Sequence, residues 1–249
     1  MDRTKNNHYL KQQSFFDWAY SKVLYDYRLD PWHLTYIDKI KKHVLGKSLK
    51  NKTLVDLGAG QGYISIEMAK LGLNVIACDM SKESIKSINR YEKEFKLKKV
   101  KAVKCFVEKL PLKDNSVDYV VANAILEHIS SEQEAISEWK RILKPKGRLL
   151  VSVPLAYKYV WPFFWLLNYV NDKRVGHLRR YDLEGLKDKF DMKVIDYSYT
   201  GHPLKVIWAL FSLLFKTNIF AQTIENLDNN LSNKRYGASN IIVIFEKDN

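Results

Sequence analysis

The stretch TLVDLGAGQGYIS, residues 53–65, places three glycines at every second position behind a short apolar run that carries one carboxylate, Asp56. A strand that runs into a glycine turn and then a helix puts a ligand at the carboxyl end of a parallel sheet. Glycine lets the backbone approach a ligand without a clash from Cβ. The stretch therefore predicts a ligand site directly after a first strand.

The rest of the chain alternates between short apolar runs and amphipathic segments. Ser81 has the position of a helix N-cap, Ser131 and Glu134 form a capping-box pattern, and KPKG at 144–147 predicts a turn. This alternation predicts an α/β, Rossmann-like fold: a seven-stranded, mostly parallel sheet with helices on both faces. The predicted strands span residues 53–58, 74–79, 100–107, 116–123, 148–154, 193–200 and 239–247.

The 249 residues suit a single domain with four parts. We expect an N-terminal helical lid at residues 1–50 and a cofactor-binding core at residues 51–154. Substrate-side insertions with a late strand follow at residues 155–237, and the last strand lies at residues 238–249.

Two insertions, residues 154–180 and 201–237, follow the fifth and sixth predicted strands and are rich in aromatic residues. If both strands are parallel, the insertions leave the sheet at the edge that faces the ligand. Their apolar runs are shorter than the roughly 20 residues that span a bilayer. We expect either an aromatic lid over the acceptor, which can rest on a membrane surface, or a subdomain core. The residues concerned are Tyr157, Tyr159, Trp161, Phe163, Phe164, Trp165, Tyr169, Trp208, Phe211 and Phe215, with Lys173, Arg174, Lys205 and Lys216 as a cationic rim.

Three ligand classes compete for the glycine turn. A dinucleotide site needs G-x-G-x-x-G, but Tyr63 stands at the position of its last glycine, and Asp56 would repel a pyrophosphate. No Gly-Lys-Ser/Thr follows, which argues against a P-loop. S-adenosylmethionine has no phosphate and carries an ammonium and a sulfonium, which a nearby carboxylate attracts. Asp79, at the end of the second predicted strand, is placed to accept ribose hydroxyls.

The segments VDLGAGQG, ACDMS, EKLPLKDNSVDYVVANAILEHI and WKRILKPKGRLLVSVP closely resemble the class I S-adenosylmethionine-dependent methyltransferases, in the same order and spacing. The sequence resembles in particular the large subgroup that acts on small molecules, quinone-like lipids and saccharides. The resemblance covers residues 34–154 well and the remainder loosely. It implies S-adenosylmethionine as the cofactor, and we expect no metal.

The resemblance also implies which residues bind the cofactor. Relatives often carry an acidic or polar residue where Phe106 stands, so the Val107 backbone or Glu108 would have to contact the adenine amino group. The alternative for Asp56 is a role in capping the turn. The implied residues are Asp56, Gly58, Ala59, Gly60 and Gly62 at the methionine end, Asp79 at the ribose, Met80, Val107 and Glu108 at the adenine, and Asn123 near the sulfur.

Methyl transfer from a sulfonium requires alignment, and a general base is needed only where the acceptor keeps its proton at neutral pH. Candidate catalytic residues are His128 in LEHI, and His177 and Tyr181 in GHLRRY. His128 is alternatively a packing residue. Arg179 and Arg180 either meet an anionic substrate or lie on the surface at a helix start.

The resemblance implies methyl transfer, which we expect to be O-methylation of a small, lipid-linked or saccharide acceptor, with RNA-directed methylation or non-catalytic cofactor binding as alternatives. The net charge of +13 favours an anionic partner, and an anionic membrane surface remains open. Nucleic acid ranks lower, because the segment after Asn123 lacks the Asn/Asp-Pro-Pro-aromatic loop of adenine methylation. No secretory signal is recognisable, and Cys78 and Cys105 suit buried thiols. We expect a cytoplasmic protein, free or peripheral at the inner membrane face, whose oligomeric state the sequence leaves open.

Overall fold

The computed structural model describes residues 3–22, 27, 29, 31–46, 48–215 and 220–249. The strands in this part are β1 (Thr53–Leu57), β2 (Asn74–Asp79), β3 (Val100–Lys104), β4 (Val117–Asn123), β5 (Leu143–Pro154), β6 (Lys193–Thr200) and β7 (Asn240–Glu246). They form one sheet in the order β3-β2-β1-β4-β5-β7-β6. β1 to β5 are parallel, and β7 lies antiparallel between β5 and β6. The predicted seven-stranded, mostly parallel sheet is confirmed.

Helices cover both faces of this sheet. The described α-helices are α1 (Arg3–Ser21), α2 (Pro31–Lys39), α3 (Tyr63–Lys70), α4 (Lys82–Glu94), α5 (Glu132–Ile142), α6 (Trp165–Val175), α7 (Leu183–Phe190), α8 (Pro203–Phe215) and α9 (Ala221–Asn230). A π-helical turn, Ile40–Val44, extends α2, and a 3-10 turn, Leu126–His128, follows β4.

Two apolar layers hold these helices on the sheet, because successive side chains of a strand point to opposite faces. Val55 of β1 packs in the layer that contains Trp139 of α5 and Phe190 of α7. The neighbouring Leu54 packs in the opposite layer, with Met68 of α3. All five side chains are fully buried, and each contributes roughly 1.5–3 kcal/mol by its burial. The two layers fix the strand ends at which the site is built.

Two local predictions need correction. KPKG at 144–147 does not precede the fifth strand but forms an irregularity within β5, where the pairing with β4 shifts and Lys146 has φ +60°. Ser131 precedes α5 without a side-chain capping bond, since its backbone (φ −102°, ψ 60°) departs from the extended conformation of an N-cap. Ser81 does cap α4, and its hydroxyl accepts from the Ser84 amide at 3.2 Å.

The expectation of two free thiols is also wrong. Cys78 at the end of β2 and Cys105 just after β3 are joined by a disulfide, with their Cα atoms 5.7 Å apart. The two strands are direct neighbours in the sheet, which brings the cysteines together.

The two insertions begin at the same level of the sheet. Pro154 at the end of β5 and Thr200 at the end of β6 both lie opposite Asn240 of β7. In the first insertion Phe164 is buried, whereas Phe163 is 82% exposed. No helix in the described ranges is long and apolar enough to cross a membrane. Lys216 of the predicted cationic rim lies outside the described residues.

Lys205, predicted on that rim, is instead buried in an ionic cluster. Its Nζ lies 2.6 Å from Glu225 and 3.3 Å from Asp228, both on α9. It also donates to the hydroxyls of Thr35 on α2 and Thr200 on β6, at 3.1 and 3.0 Å. The cluster therefore ties α8 and α9 to α2 and the sheet.

We expect Lys205→Met to destabilise the fold by about 3–5 kcal/mol, because it leaves the buried carboxylates of Glu225 and Asp228 without their cation. The matched control is Lys86→Met, which removes an exposed partner of Glu83 and should cost about 0–1 kcal/mol. Urea unfolding followed by circular dichroism measures both free energies of unfolding. Equal losses in the two variants would contradict a structural role for the buried cluster.

Candidate functional site

The glycine turn after β1 forms one wall of a central cavity. Gly58 has φ +63°, and a Cβ at this position would lie 2.7 Å from Cδ1 of Ile125. Glycine is therefore required by backbone conformation and by close packing against the segment that follows β4.

The central cavity has a volume of about 630 Å³ and lies at the carboxyl ends of β1, β2 and β4. This size suits a small-molecule ligand, and the place is where open α/β sheets bind ligands. Gly62 does not line the cavity; its amide donates to the carbonyl of Ala59 at 2.9 Å and closes the turn. The other predicted cofactor residues do line it: Asp56, Gly58, Ala59, Gly60, Asp79, Met80, Val107, Glu108 and Asn123.

Asp56 is a carboxyl group that is 2% exposed at the end of β1. Burial raises the pKa of this carboxyl group to about 7, and the nearby charge of Asp79 also raises it. The hydrogen bond that Ser65 Oγ donates at 2.6 Å lowers the pKa and only partly offsets the rise. Among the described residues Asp56 forms no ion pair. The free protein therefore holds a buried acid whose ionised form lacks a counter-charge, and a cationic ligand would supply one.

Asp79 organises the turn as well as the cavity. One carboxylate oxygen accepts from the amide of Gly60 and the other from the amide of Ser81, each at 2.8 Å. Burial raises the pKa of Asp79, while these two bonds oppose the rise. Each oxygen retains acceptor capacity, which fits a pair of ribose hydroxyls.

The adenine side of the cavity carries Phe106, Val107 and Glu108. The Val107 carbonyl already accepts from the indole Nε1 of Trp139 at 2.9 Å. One oxygen of Glu108 accepts from the hydroxyl of Tyr9 on α1. The second oxygen of Glu108 is therefore the better candidate for contact with an adenine amino group.

Asn123 at the end of β4 offers a further unsatisfied group. Its Oδ1 is buried in the cavity wall without a hydrogen-bond partner among the described residues. A buried polar atom of this kind needs a donor. Together with the carboxyl groups of Asp56 and Asp79, it forms a group of hydrogen-bond acceptors, here called the head of the cavity. Such a group suits a cationic nucleoside. The residues present fit S-adenosylmethionine.

The cavity is also lined by His128, after β4, and His177, after α6, whose ring centroids lie 4.7 Å apart. Burial lowers the pKa of His128 to about 3, and nearby His177 and His8 lower it further, so this imidazole is neutral at neutral pH. His177 Nδ1 lies 2.7 Å from Asp172 Oδ1. Although burial opposes ionisation, hydrogen bonds from His177 and two other side chains hold the pKa of Asp172 below its usual range.

Tyr181 lies outside this cavity lining. It is 4% exposed, and its hydroxyl bonds to the Leu126 carbonyl at 3.2 Å and to Glu132 at 2.9 Å. Arg180 donates to Asp172 through Nε at 2.6 Å, and Arg179 donates to Glu132 at 3.1 Å. These partners give Tyr181 and Arg180 structural positions, because the Tyr181 hydroxyl and all three guanidinium nitrogens of Arg180 are bonded within the fold. Arg179 is tied to Glu132 through Nη1.

Sequence reasoning missed the individual residues that α1 contributes. Tyr9, Gln12, Phe16 and Tyr20 all line the cavity. Gln12 Nε2 donates to the carbonyl of Val175 at 3.0 Å, which links α1 to α6. Their spacing of three or four residues along one stripe of HYLKQQSFFDWAY is the helical signal that could have identified them.

Comparison with known proteins agrees with this geometry. Residues 55–151 match the family model described as a methyltransferase domain. The ubiquinone biosynthesis O-methyltransferase of Rickettsia akari (strain Hartford) is 30% identical over 127 residues, which cover 51% of this chain and 49% of the relative. The chloroplastic 2-methyl-6-phytyl-1,4-hydroquinone methyltransferase of Arabidopsis thaliana is 26% identical and covers 65% of this chain and 46% of the relative.

A solved geranyl diphosphate C-methyltransferase from Streptomyces coelicolor A3(2) has the same fold, with a TM-score of 0.67 at 17% identity over 86% of this chain and 79% of that chain. The chain spans about half the length of the curated relatives it matches. Residues 55–151 thus match a methyltransferase domain, and the solved structure shares the fold. Both findings agree with the family resemblance and with the S-adenosylmethionine cofactor that the sequence predicts.

We expect the affinity for S-adenosylmethionine to fall by up to about tenfold as the pH is lowered from about 7 to about 6, because protonation of Asp56 competes with the cationic ligand. The sign follows from the raised pKa: the acid is increasingly protonated below about pH 7 and loses its attraction. Calorimetric titration at each pH measures the dissociation constant. Asp56→Asn should bind weakly with a flat profile, and the exposed Asp114→Asn should keep the wild-type profile. A steep profile in Asp56→Asn would assign the effect to another group.

Proposed function

We propose that the chain is an S-adenosylmethionine-dependent methyltransferase that methylates an oxygen atom of a small acceptor. The observation that carries the proposal is the lining of one cavity, which combines the buried carboxyl groups of Asp56 and Asp79 with the imidazoles of His128 and His177. S-adenosylmethionine supplies a methyl group on a positively charged sulfur. The carboxyl groups favour that charge, and we assign the part of the cavity beside the two imidazoles, here called the acceptor end, to the acceptor.

The chain's own residues would act mainly by binding and alignment, which together can supply roughly 7–11 kcal/mol. Asp56 and Asn123 would hold the amino acid end, and Asp79 would hold the ribose. Phe16 and Tyr20 of α1, which line the cavity, would exclude water. Water exclusion strengthens the attraction of the carboxylates for the cation.

A hydroxyl acceptor must give up its proton when its oxygen is methylated. His177 lies at the acceptor end of the cavity with its Nδ1 engaged by Asp172, which leaves Nε2 for other contacts. We assign the catalytic contribution to His128 and His177. Tyr181 is not proposed as a catalytic residue, because its hydroxyl is bonded to Leu126 and Glu132.

The proposed acceptor is a hydroxylated ring on a lipid-linked molecule. Ile129 and Val175, each within two residues of one of the imidazoles in sequence, give the acceptor end an apolar lining, as an apolar ring requires. Two relatives are named for ubiquinone biosynthesis and for a phytyl hydroquinone, which supports this class of molecule. A saccharide hydroxyl is the competing acceptor.

We expect His177→Gln to lower the rate of methyl transfer by about 10²–10⁴-fold, with unchanged affinity for S-adenosylmethionine, because the residue lies at the acceptor end. Transfer of radiolabelled methyl into lipid, saccharide and RNA fractions of a cell extract measures the rate. His43→Gln, an imidazole paired with Asp196 outside the cavity, is the control and should keep the wild-type rate.

Label in the lipid fraction supports the proposal. Label only in saccharide or RNA would overturn the proposed acceptor, and cofactor binding without label in any fraction would identify a non-catalytic binding protein. Equal rates in the two histidine variants would contradict the catalytic role of His177.

The exposed apolar surface of α6 and the turn before it is the proposed membrane contact. Phe163 is 82% exposed and Leu166 is 73% exposed, beside Trp161 and Trp165 at 46% each. A contiguous apolar surface of this kind marks an interaction site. Lys173 and Arg174 are exposed at the end of the same helix, so the complementary partner is an anionic lipid surface.

We expect the double variant Trp161→Ser, Trp165→Ser to weaken binding to anionic vesicles by on the order of tenfold or more, because each indole loses its apolar contact with the lipid. Flotation with phosphatidylserine-containing vesicles measures the bound fraction. Trp18→Ser, which removes an indole that is 50% exposed on α1, is the matched control. Unchanged vesicle binding by the double variant, or no vesicle binding by the wild type, would contradict the proposed membrane contact.

A further inference from the structure

Three metal-ligating side chains converge at the acceptor end of the cavity. Glu127 and His128 lie in the 3-10 turn that follows β4, and His177 lies just after the end of α6. One ligand atom from each lies within 4.8 Å of the other two. Residues distant in sequence are thus brought together by the packing of two loops at one end of the sheet.

Two polar atoms of this cluster are buried without a hydrogen-bond partner among the described residues. They are Oε2 of Glu127, a residue 1% exposed, and Nδ1 of His128, a residue 8% exposed. A buried polar atom that lacks a partner costs about 1–3 kcal/mol, and native structures keep few of them. Each of the two atoms therefore lacks a partner that a bound group can supply.

A second carboxylate orients the third member of the cluster. Asp172 Oδ1 lies 2.7 Å from Nδ1 of His177, and Nε2 of the same ring lies 3.9 Å from Glu127 Oε1. Asp172 is held in turn by Arg180 and by the hydroxyl of Tyr157 at 2.7 Å. Metal-binding histidines commonly donate their other ring nitrogen to such a carboxylate, which fixes the tautomer and the ring orientation.

We propose that Glu127, His128 and His177 bind one divalent first-row transition-metal ion. Two imidazoles and one carboxylate suit zinc or iron, whereas magnesium prefers oxygen ligands throughout. Bonds of about 2.0–2.2 Å to the ion require the three side chains to close slightly around it. Three protein ligands leave coordination positions open, and His128 and His177 line the cavity, so an open position faces the acceptor.

This inference deepens the proposed function and rests on it for the role of the ion. An acceptor hydroxyl bound to the ion loses its proton to solvent water more readily than a free hydroxyl does, because the positive charge stabilises the oxyanion. His128 and His177 then act as ligands that hold the ion beside the acceptor oxygen.

The test is a titration of the chelator-stripped full chain with Co²⁺, without thiol reductants. We expect one Co²⁺ per chain with visible absorption bands of a nitrogen-ligated ion, and displacement by Zn²⁺. Glu127→Gln and His177→Gln should each weaken Co²⁺ binding by about tenfold or more. His43→Gln, outside the cluster, should bind as the wild type does. Equal affinity in all variants, or no saturable binding, would overturn the proposal.

X-ray absorption of the zinc-loaded wild type provides a measurement that needs no variant to fold. Two imidazole nitrogens and a carboxylate oxygen at about 2.0–2.2 Å support the site, and a shell of oxygen or sulfur alone overturns it. Affinity for S-adenosylmethionine and methyl transfer are measured on the same samples. Full methyl transfer in excess chelator would contradict a role for the metal ion and leave the proposed methyltransferase activity intact. Binding of Co²⁺ without methyl transfer would support the metal site but contradict a role for the ion in catalysis.

Discussion

A buried carboxyl group without a cationic partner governs the chemistry of this site. Asp56 is 2% exposed and Asp79 is 7% exposed, and among the described residues neither forms an ion pair. Burying such groups is costly unless a counter-charge arrives with the ligand. The head of the cavity therefore selects a cationic nucleoside and disfavours a phosphate-bearing cofactor, although the chain as a whole is strongly basic.

The cavity joins this acidic head to an imidazole wall, and α1 connects the two. Tyr9 of α1 donates to Glu108, which follows β3, and His8 Nε2 lies 2.8 Å from the carbonyl oxygen of His128, which follows β4. α1 therefore ties together two segments that line the cavity. The ordering of α1 over the cavity and the exclusion of water are expected to be coupled.

Local patterns were enough to predict the sheet, the glycine turn and the acids at the strand ends. The glycines and Asp56 are close in sequence, and their positions follow from backbone geometry that neighbouring residues specify. The predicted helix start at Ser81 is confirmed as well, because its capping bond spans only three residues.

The positions of side chains whose partners are distant in sequence do not follow from local patterns. Tyr181 bonds to Glu132, 49 residues away, and Lys205 pairs with Glu225 on another helix. A sequence pattern identifies such side chains as polar but does not show whether the fold places a buried partner beside them. The pairing of Cys78 with Cys105 likewise depends on which strands are neighbours in the sheet.

Competitive calorimetry at neutral pH tests the electrostatic selection of the cofactor most directly. S-adenosylmethionine and nicotinamide adenine dinucleotide share an adenosine moiety. The group attached to it, which would approach Asp56, is a positively charged sulfonium in the first and a negatively charged pyrophosphate in the second. We expect saturable one-to-one binding of S-adenosylmethionine and no competition from the dinucleotide. Tighter binding of the dinucleotide would contradict a site built for a cationic sulfur.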